Sequence, residues 1–220
     1  MAGSNYLDLV DWRRRVGDLY RLRGPHASEE FRRGKDELFG NHPQSPIDDP
    51  STFTGLDYFP VDPAYRTVAV LEPEAEPGEL AIDTGGADGV IRYRRAGRLR
   101  FALMDTECSL LVLSLIGYGG GLFVPFKDAT SRGETYGGGR YLFDTVKNTD
   151  GLVLEFAAGS AEVTIDFNYA YNPSCAYSAR WACPLAPPEP VRPTPPPPGP
   201  KVHQRGVRPP PPPPRQGRES

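Results

Sequence analysis

Two stretches of this chain hold residue types able to do chemistry. The first, "DFNYAYNPSCAYSARWACPL" at 166–185, gathers an acid, two asparagines, three tyrosines and two cysteines. It continues the run "EVTIDF", in which strand alternation puts Val163, Ile165 and Phe167 on one face and Thr164, Asp166 and Asn168 on the other. Asp166 and Asn168 are thereby expected as a polar pair at a strand end. "NPSC" then breaks the strand, since Pro173 removes a backbone donor and Asn172 and Ser174 favour turns. Cys175 stands beyond the bend, where Tyr169, Tyr171 and Tyr177 either frame a pocket or fill a corner.

The second stretch is "ETYGGGRY" at 134–141. Gly137, Gly138 and Gly139 let backbone amides converge on an anion, and the planar fork of Arg140 can hold a carboxylate or phosphate. It is not a phosphate-binding Walker loop, because no Lys-Ser or Lys-Thr follows and the context is a strand. The competing expectation is a tight bend with Arg140 paired to a structural acid such as Asp128 or Asp166. In the site reading, Arg140 and the glycine amides hold an anion, Asp166 orients Arg140 or acts as general base, and Tyr136, Asn168, Tyr171 and Asn172 add neutral hydrogen bonds. Cys175 is the candidate nucleophile. It needs a base, and outside the tail only His26 and His42 are present, so its alternative role is a small buried filler. No metal or other cofactor is expected, because two histidines and three scattered cysteines lack ligand spacing.

Two kinds of element must position these residues. Tyr6, Leu9, Val10, Val16, Leu19 and Tyr20 recur at helical spacing after Asn5, a potential cap, and a second helix fits "SEEFRRGKDELFG" with Ser28 as cap, a stripe of Phe31, Leu38 and Phe39, and Gly40 as stop. From Tyr65 the period becomes two, and nine short runs rich in β-branched and aromatic residues follow. Ala96 and Gly97 are expected to turn a hairpin whose inward face is Ile91, Tyr93, Leu99, Phe101 and Leu103. Arg92, Arg94, Arg98 and Arg100 then form a ladder that reads as a solvated, ion-paired face rather than a phosphate-binding one. The predicted fold is mainly β: a single antiparallel sandwich or barrel-like domain with two N-terminal helices packed on it.

Sixteen of the 26 prolines lie beyond residue 183. The domain is therefore expected over 4–189, helical over 4–40 and β over 65–189, with a disordered, proline-rich, basic tail at 190–220. The tail carries net +5 and the remainder −8, and an acidic body argues against nucleic acid as ligand. No run of 18 apolar residues predicts a membrane span, and the first residues do not resemble a secretory signal. Three cysteines without framework spacing read as thiols in a cytoplasmic protein, with a Cys175–Cys183 disulfide as the alternative if the chain is exported. The proline runs within 195–215 have the spacing that polyproline-recognising partners accept.

The strings "LFVPFKDATSRGETYGGGRYL" and "DFNYAYNPSCAYSARWACPLAPPE" resemble the bacterial family catalogued as domain of unknown function 1684, and "KDELFGNHPQSPI" with "YFPVDPAYR" is similar to its amino-terminal pattern. The resemblance implies one β-rich domain with shared polar positions at Lys127, Asp128, Thr130, Glu134, Thr135, Tyr136, Arg140, Asp166, Asn168, Tyr171, Asn172, Cys175, Tyr177 and Cys183. It brings no reaction or cofactor. Where the family reads Glu-Asn and continues, Glu189 here is followed by Pro190. Polar groups are costly to bury unless satisfied, so these positions favour a pocket. The expectation is a small polar or anionic molecule bound near Arg140 and Asp166, with or without catalysis. The alternative is a noncatalytic interaction module whose tail recruits partners.

Overall fold

A computed structural model of the chain describes residues 6–131 and 133–187. Asn5 and the tail at 190–220 lie outside the described residues. Two helices lead, α1 (Tyr6–Tyr20) and α2 (Ala27–Asn41). Eight strands follow: β1 (Arg66–Pro73), β2 (Glu79–Asp83), β3 (Val90–Leu103), β4 (Thr106–Leu115), β5 (Leu122–Phe126), β6 (Arg140–Asp144), β7 (Leu154–Phe156) and β8 (Glu162–Asp166). They form one antiparallel sheet in the order β6-β5-β4-β3-β1-β8-β7, with β2 also paired to β3, and the sheet curls into a half-barrel. Of the two predicted architectures, the barrel-like one is found.

The strand count falls to eight because no hairpin turns at Ala96. Residues 90–103 run as one strand against β4, and the register slips by one residue between Arg95 and Gly97. A bulge of this kind inserts a residue and reverses which side chains share a face with the partner strand. Before it, Tyr93 pairs with Leu115; after it, Leu99 pairs with Leu110. The five side chains expected on one inward face are therefore divided. Leu99, Phe101 and Leu103 join the main core with Leu110, Val112 and Val124, while Ile91 and Tyr93 join a second cluster with Leu111, Leu113, Phe123 and Tyr141. β4 is buried on both faces over Leu110–Leu113 for this reason. The bulge divides the predicted arginine ladder as well, setting Arg92 and Arg94 on the face opposite to Arg98 and Arg100, while the expected ion pairing holds: Arg92 to Glu79, Arg98 to Glu74 and Arg100 to Glu72.

The helices bury less of their predicted stripes than periodicity suggested. Tyr6 is 88% exposed, and α1 meets the core through Val16, Leu19 and Tyr20 near its C-terminal end. α2 begins after His26 rather than at Ser28 and runs through Gly40 to Asn41. Gly34 marks the crossing of the two helices. A Cβ there would fall 2.4 Å from the Leu19 side chain, so only glycine permits the approach without a shift. Tyr20 packs edge-on against Phe31 at 4.9 Å, and its hydroxyl donates to the Tyr169 carbonyl at 3.1 Å, fixing α1 to the segment that follows β8. That segment crosses to the far edge of the sheet, where Tyr171 exchanges backbone hydrogen bonds with Tyr141 of β6.

Candidate functional site

The glycine bend and the strand end are separate, self-contained structures. β6 and β8 sit far apart in the strand order, and of the two acids expected as partner of Arg140, Asp128 pairs with it while Asp166 is engaged with Asn168. The Arg140 side chain is 1% exposed and pairs with Asp128, whose side chain is wholly buried. Asp128 also accepts hydrogen bonds from the Thr130 backbone N–H, at 2.8 Å, and the Thr130 hydroxyl; that hydroxyl in turn meets Thr135 at 2.8 Å. The Arg140 guanidinium lies 5.1 Å over the Phe126 ring. Burial works against its charge and Asp128 supports it. The glycines serve the bend: Gly139 has φ +95°, a Cβ on it would come within 2.6 Å of the Phe126 carbonyl, and its N–H donates to the Tyr136 carbonyl. The Gly139 amide is thus used in a turn rather than held for an anion beside Arg140, and Tyr136 and Leu185 close on Gly138.

Asp166 and Asn168 do meet, though not through strand alternation: β8 ends at Asp166, whose carboxylate caps the 3-10 turn Phe167–Tyr169. Asp166 Oδ1 accepts from the Asn168 N–H at 2.9 Å and from its side-chain amide at 2.7 Å. Asn168 also binds both backbone groups of Asp62, at 2.9 and 3.0 Å. The pair thus clamps the loop before β1 onto the end of β8, and burial raises the Asp166 pKa against the hydrogen bonds from Asn168. His42 is occupied as well. Its Nδ1 accepts from the Gln44 N–H at 3.0 Å, so Nε2 carries the proton and faces Asp11 at 3.2 Å.

The cavity lies elsewhere, between the helices, the second apolar cluster and the two loops at 144–149 and 171–184. It holds about 530 Å³ and is lined on one side by Val16, Tyr20, Phe31 and Phe39 and on the other by Ile91, Tyr93, Leu115 and Phe123. That size and apolar character suit a small-molecule site. Of the predicted site residues, Tyr171 and Asn172 line it; Arg140, Asp166, Asn168 and Tyr136 do not.

Lys35 is the residue that the sequence reading passed over. It is 7% exposed and lines this cavity. Its ammonium stands over three rings, Phe31 at 5.5 Å, Phe39 at 5.7 Å and Tyr171 at 5.4 Å, and among the described residues it has no carboxylate within ion-pair reach. Burial lowers its pKa from 10.5 to about 8, and the neighbouring Asp36, whose carboxylate accepts from the Leu56 N–H and the Tyr58 hydroxyl, only partly opposes this. The signal was present in the spacing: 31, 35, 38 and 39 trace one helical stripe, with a lysine at a core position. The Trp181 indole N–H, on the same cavity, is buried with no acceptor among the described residues.

The two cysteines of the opening stretch are in contact. The Cys175 backbone N–H donates to Cys183 Sγ at 3.4 Å, and the Tyr136 hydroxyl lies 3.8 Å from Cys175 Sγ. Cys183, not Cys175, lines the cavity. A hydrogen bond from the Cys175 thiol, helped by the Cys175 N–H and by Lys147, holds Cys183 below the ordinary thiol range despite burial; the same contact with Cys183, together with burial, pushes Cys175 up.

The model of a family described as a protein of unknown function (DUF1684) matches residues 51–195. An uncharacterised protein of Haloarcula marismortui, solved by solution NMR, is 32% identical over 84% of this chain and 90% of its own, with a TM-score of 0.52. No curated protein matches the chain.

Proposed function

The chain belongs to the DUF1684 family, and from that premise we propose that it binds a small amphipathic anion, a carboxylate or similar head on an apolar body, in the cavity beside Lys35. The observation that carries this reading is a buried ammonium without a counter-charge. Burying a charge costs several kcal/mol unless it is paired, and three ring faces offset only part of that cost. An anionic head supplies the missing partner, the Trp181 N–H offers a neutral donor beside the same space, and the apolar walls accept the body of the ligand. The site is thus assigned to Lys35 rather than to Arg140 and Asp166, whose charges already have partners within the fold.

No helix among the described residues is long and apolar enough to cross a membrane. We place the protein in the cytoplasm, because its cysteines are free thiols and lack the spacing of a disulfide framework. A polyproline-reading partner is assigned to 195–215 on sequence alone.

Decanoate, decanol and decylamine share a body and differ in head, so titration calorimetry with the three is the direct test. Decanoate should bind, the other two at least about tenfold more weakly, and Lys35→Met should remove the difference. Binding of decanoate should also weaken as pH rises through about 8, where Lys35 loses its proton. Equal affinity for decanoate and decylamine, or full binding by Lys35→Met, would overturn the proposal.

A further inference from the structure

Cys175 and Cys183 stand eight positions apart in one loop, joined by a hydrogen bond from the Cys175 backbone N–H to Cys183 Sγ, yet they occupy unlike surroundings. Cys183 receives a backbone N–H from Cys175 and opens on the cavity; Cys175 lies behind it against the Tyr136 hydroxyl. Lys147, whose charge favours the Cys183 thiolate, is itself 3.6 Å from Asp144. Cys108, the third thiol, is buried in the main core, where its Sγ donates to the Thr106 carbonyl at 3.3 Å.

The geometry points to a redox-active dithiol in which Cys183, reached through the cavity, reacts with a hydroperoxide and Cys175 resolves the product. Backbone amide donation and a neighbouring cation favour the thiolate, the form that attacks. The Cys183 thiolate takes the terminal oxygen of the hydroperoxide: an S–O bond forms, the O–O bond breaks, and the alkoxide or hydroxide leaves and takes a proton. Cys183 is then a sulfenic acid. The Cys175 sulfur attacks the Cys183 sulfur, water departs with the Cys175 proton, and a disulfide remains. One hydroperoxide is reduced to an alcohol, or to water, plus one further water, and two thiols are oxidised. The apolar cavity walls favour an organic hydroperoxide over hydrogen peroxide.

This inference does not depend on anion binding at Lys35, and its readout is the sulfur chemistry alone. Reduced full-length protein is treated with one equivalent of cumene hydroperoxide and digested, and the peptides are weighed. The expected result is a Cys175–Cys183 linkage, formed faster than with hydrogen peroxide and equally in Cys108→Ser. In Cys175→Ser, dimedone should tag Cys183 and leave Cys108 untouched. Because either variant can perturb packing, the wild-type chain is also alkylated with limiting iodoacetamide at pH 7, where Cys183 should react about tenfold faster than Cys108. Cysteines that remain reduced, a label favouring Cys108, or Cys175 reacting ahead of Cys183 would each overturn the assignment.

Discussion

Arg140 and Lys35 are both buried cations beside aromatic rings, and they do opposite things. Arg140 sits over Phe126 and meets Asp128, which is further held by Thr130. Lys35 sits over Phe31, Phe39 and Tyr171 and meets no carboxylate among the described residues. A buried charge with its counter-charge and hydrogen bonds in place is part of the scaffold; one without them is a cost that the fold carries for some other purpose. The polar richness of "KDATSRGETYGGGRY" therefore marks architecture, whereas a single lysine inside an apolar stripe marks the site. The arginine ladder on β3 is a third case, in which the pairs are intact but stand in water. Arg100 and Glu72 are each at least half exposed.

The largest effect should come from breaking the closed pair. Arg140→Met leaves Asp128 buried and uncompensated, and should cost about 3–5 kcal/mol, read as the shift of the urea midpoint at constant slope. A loss under about 1 kcal/mol would mean that water reaches Asp128, and the contrast with Lys35 would collapse.

An effect of opposite sign is expected at Lys35. Its folded pKa of about 8 lies below the unfolded value of 10.5. Below pH 8 both states hold the proton and the folded state bears the cost of burying it. Between 8 and 10.5 the folded state releases the proton and the unfolded state keeps it, so wild-type stability gains with pH across that window. Lys35→Met should be more stable than wild type by up to roughly 3 kcal/mol at pH 7, with the advantage shrinking as pH rises from 8 to 10.5. Taking the difference between the two proteins cancels the buried tyrosines, whose ordinary value of 10.0 falls at the top of this window and is raised by burial in the folded state. A variant less stable than wild type at pH 7 would show that the ring contacts already satisfy the ammonium.

The smallest effect belongs to the ladder. Arg100→Ala or Glu72→Ala should change stability by no more than about 1 kcal/mol, and less at high salt, because exposed pairs gain little over their hydration. A loss comparable to that of Arg140→Met would show that pairing, and not burial, sets the difference between the regions.

Much of the architecture was legible because it depends on local periodicity. The two helices, the strand runs from Tyr65 onward, and the shared face of Val163, Ile165 and Phe167 all follow from which side chains a helix or a strand puts side by side. The sequence also posed the choice between Asp128 and Asp166 as partner of Arg140, since both acids follow strand-like runs. What spacing could not decide was which one. Asp128 lies just beyond β5, which pairs with β6, while Asp166 ends a strand at the other side of the sheet.

The rest required the packed molecule. A two-residue Ala96-Gly97 interval reads equally as a turn or as a bulge, and only the continuous pairing of β3 with β4 makes it a bulge that divides the core in two. Cys183 gains its distinct environment from a contact between loop residues whose backbone path no periodicity describes. The cavity is the clearest case. Its walls come from α1, α2, strands β3, β4 and β5 and the segments that follow β6 and β8, so it exists only once segments more than a hundred residues apart are brought together. The sequence by itself determined that Lys35 shares a helix face with Phe31 and Phe39; only tertiary structure decided that this face would meet an apolar space instead of an acid, and so made an ordinary lysine the most unusual charge in the protein.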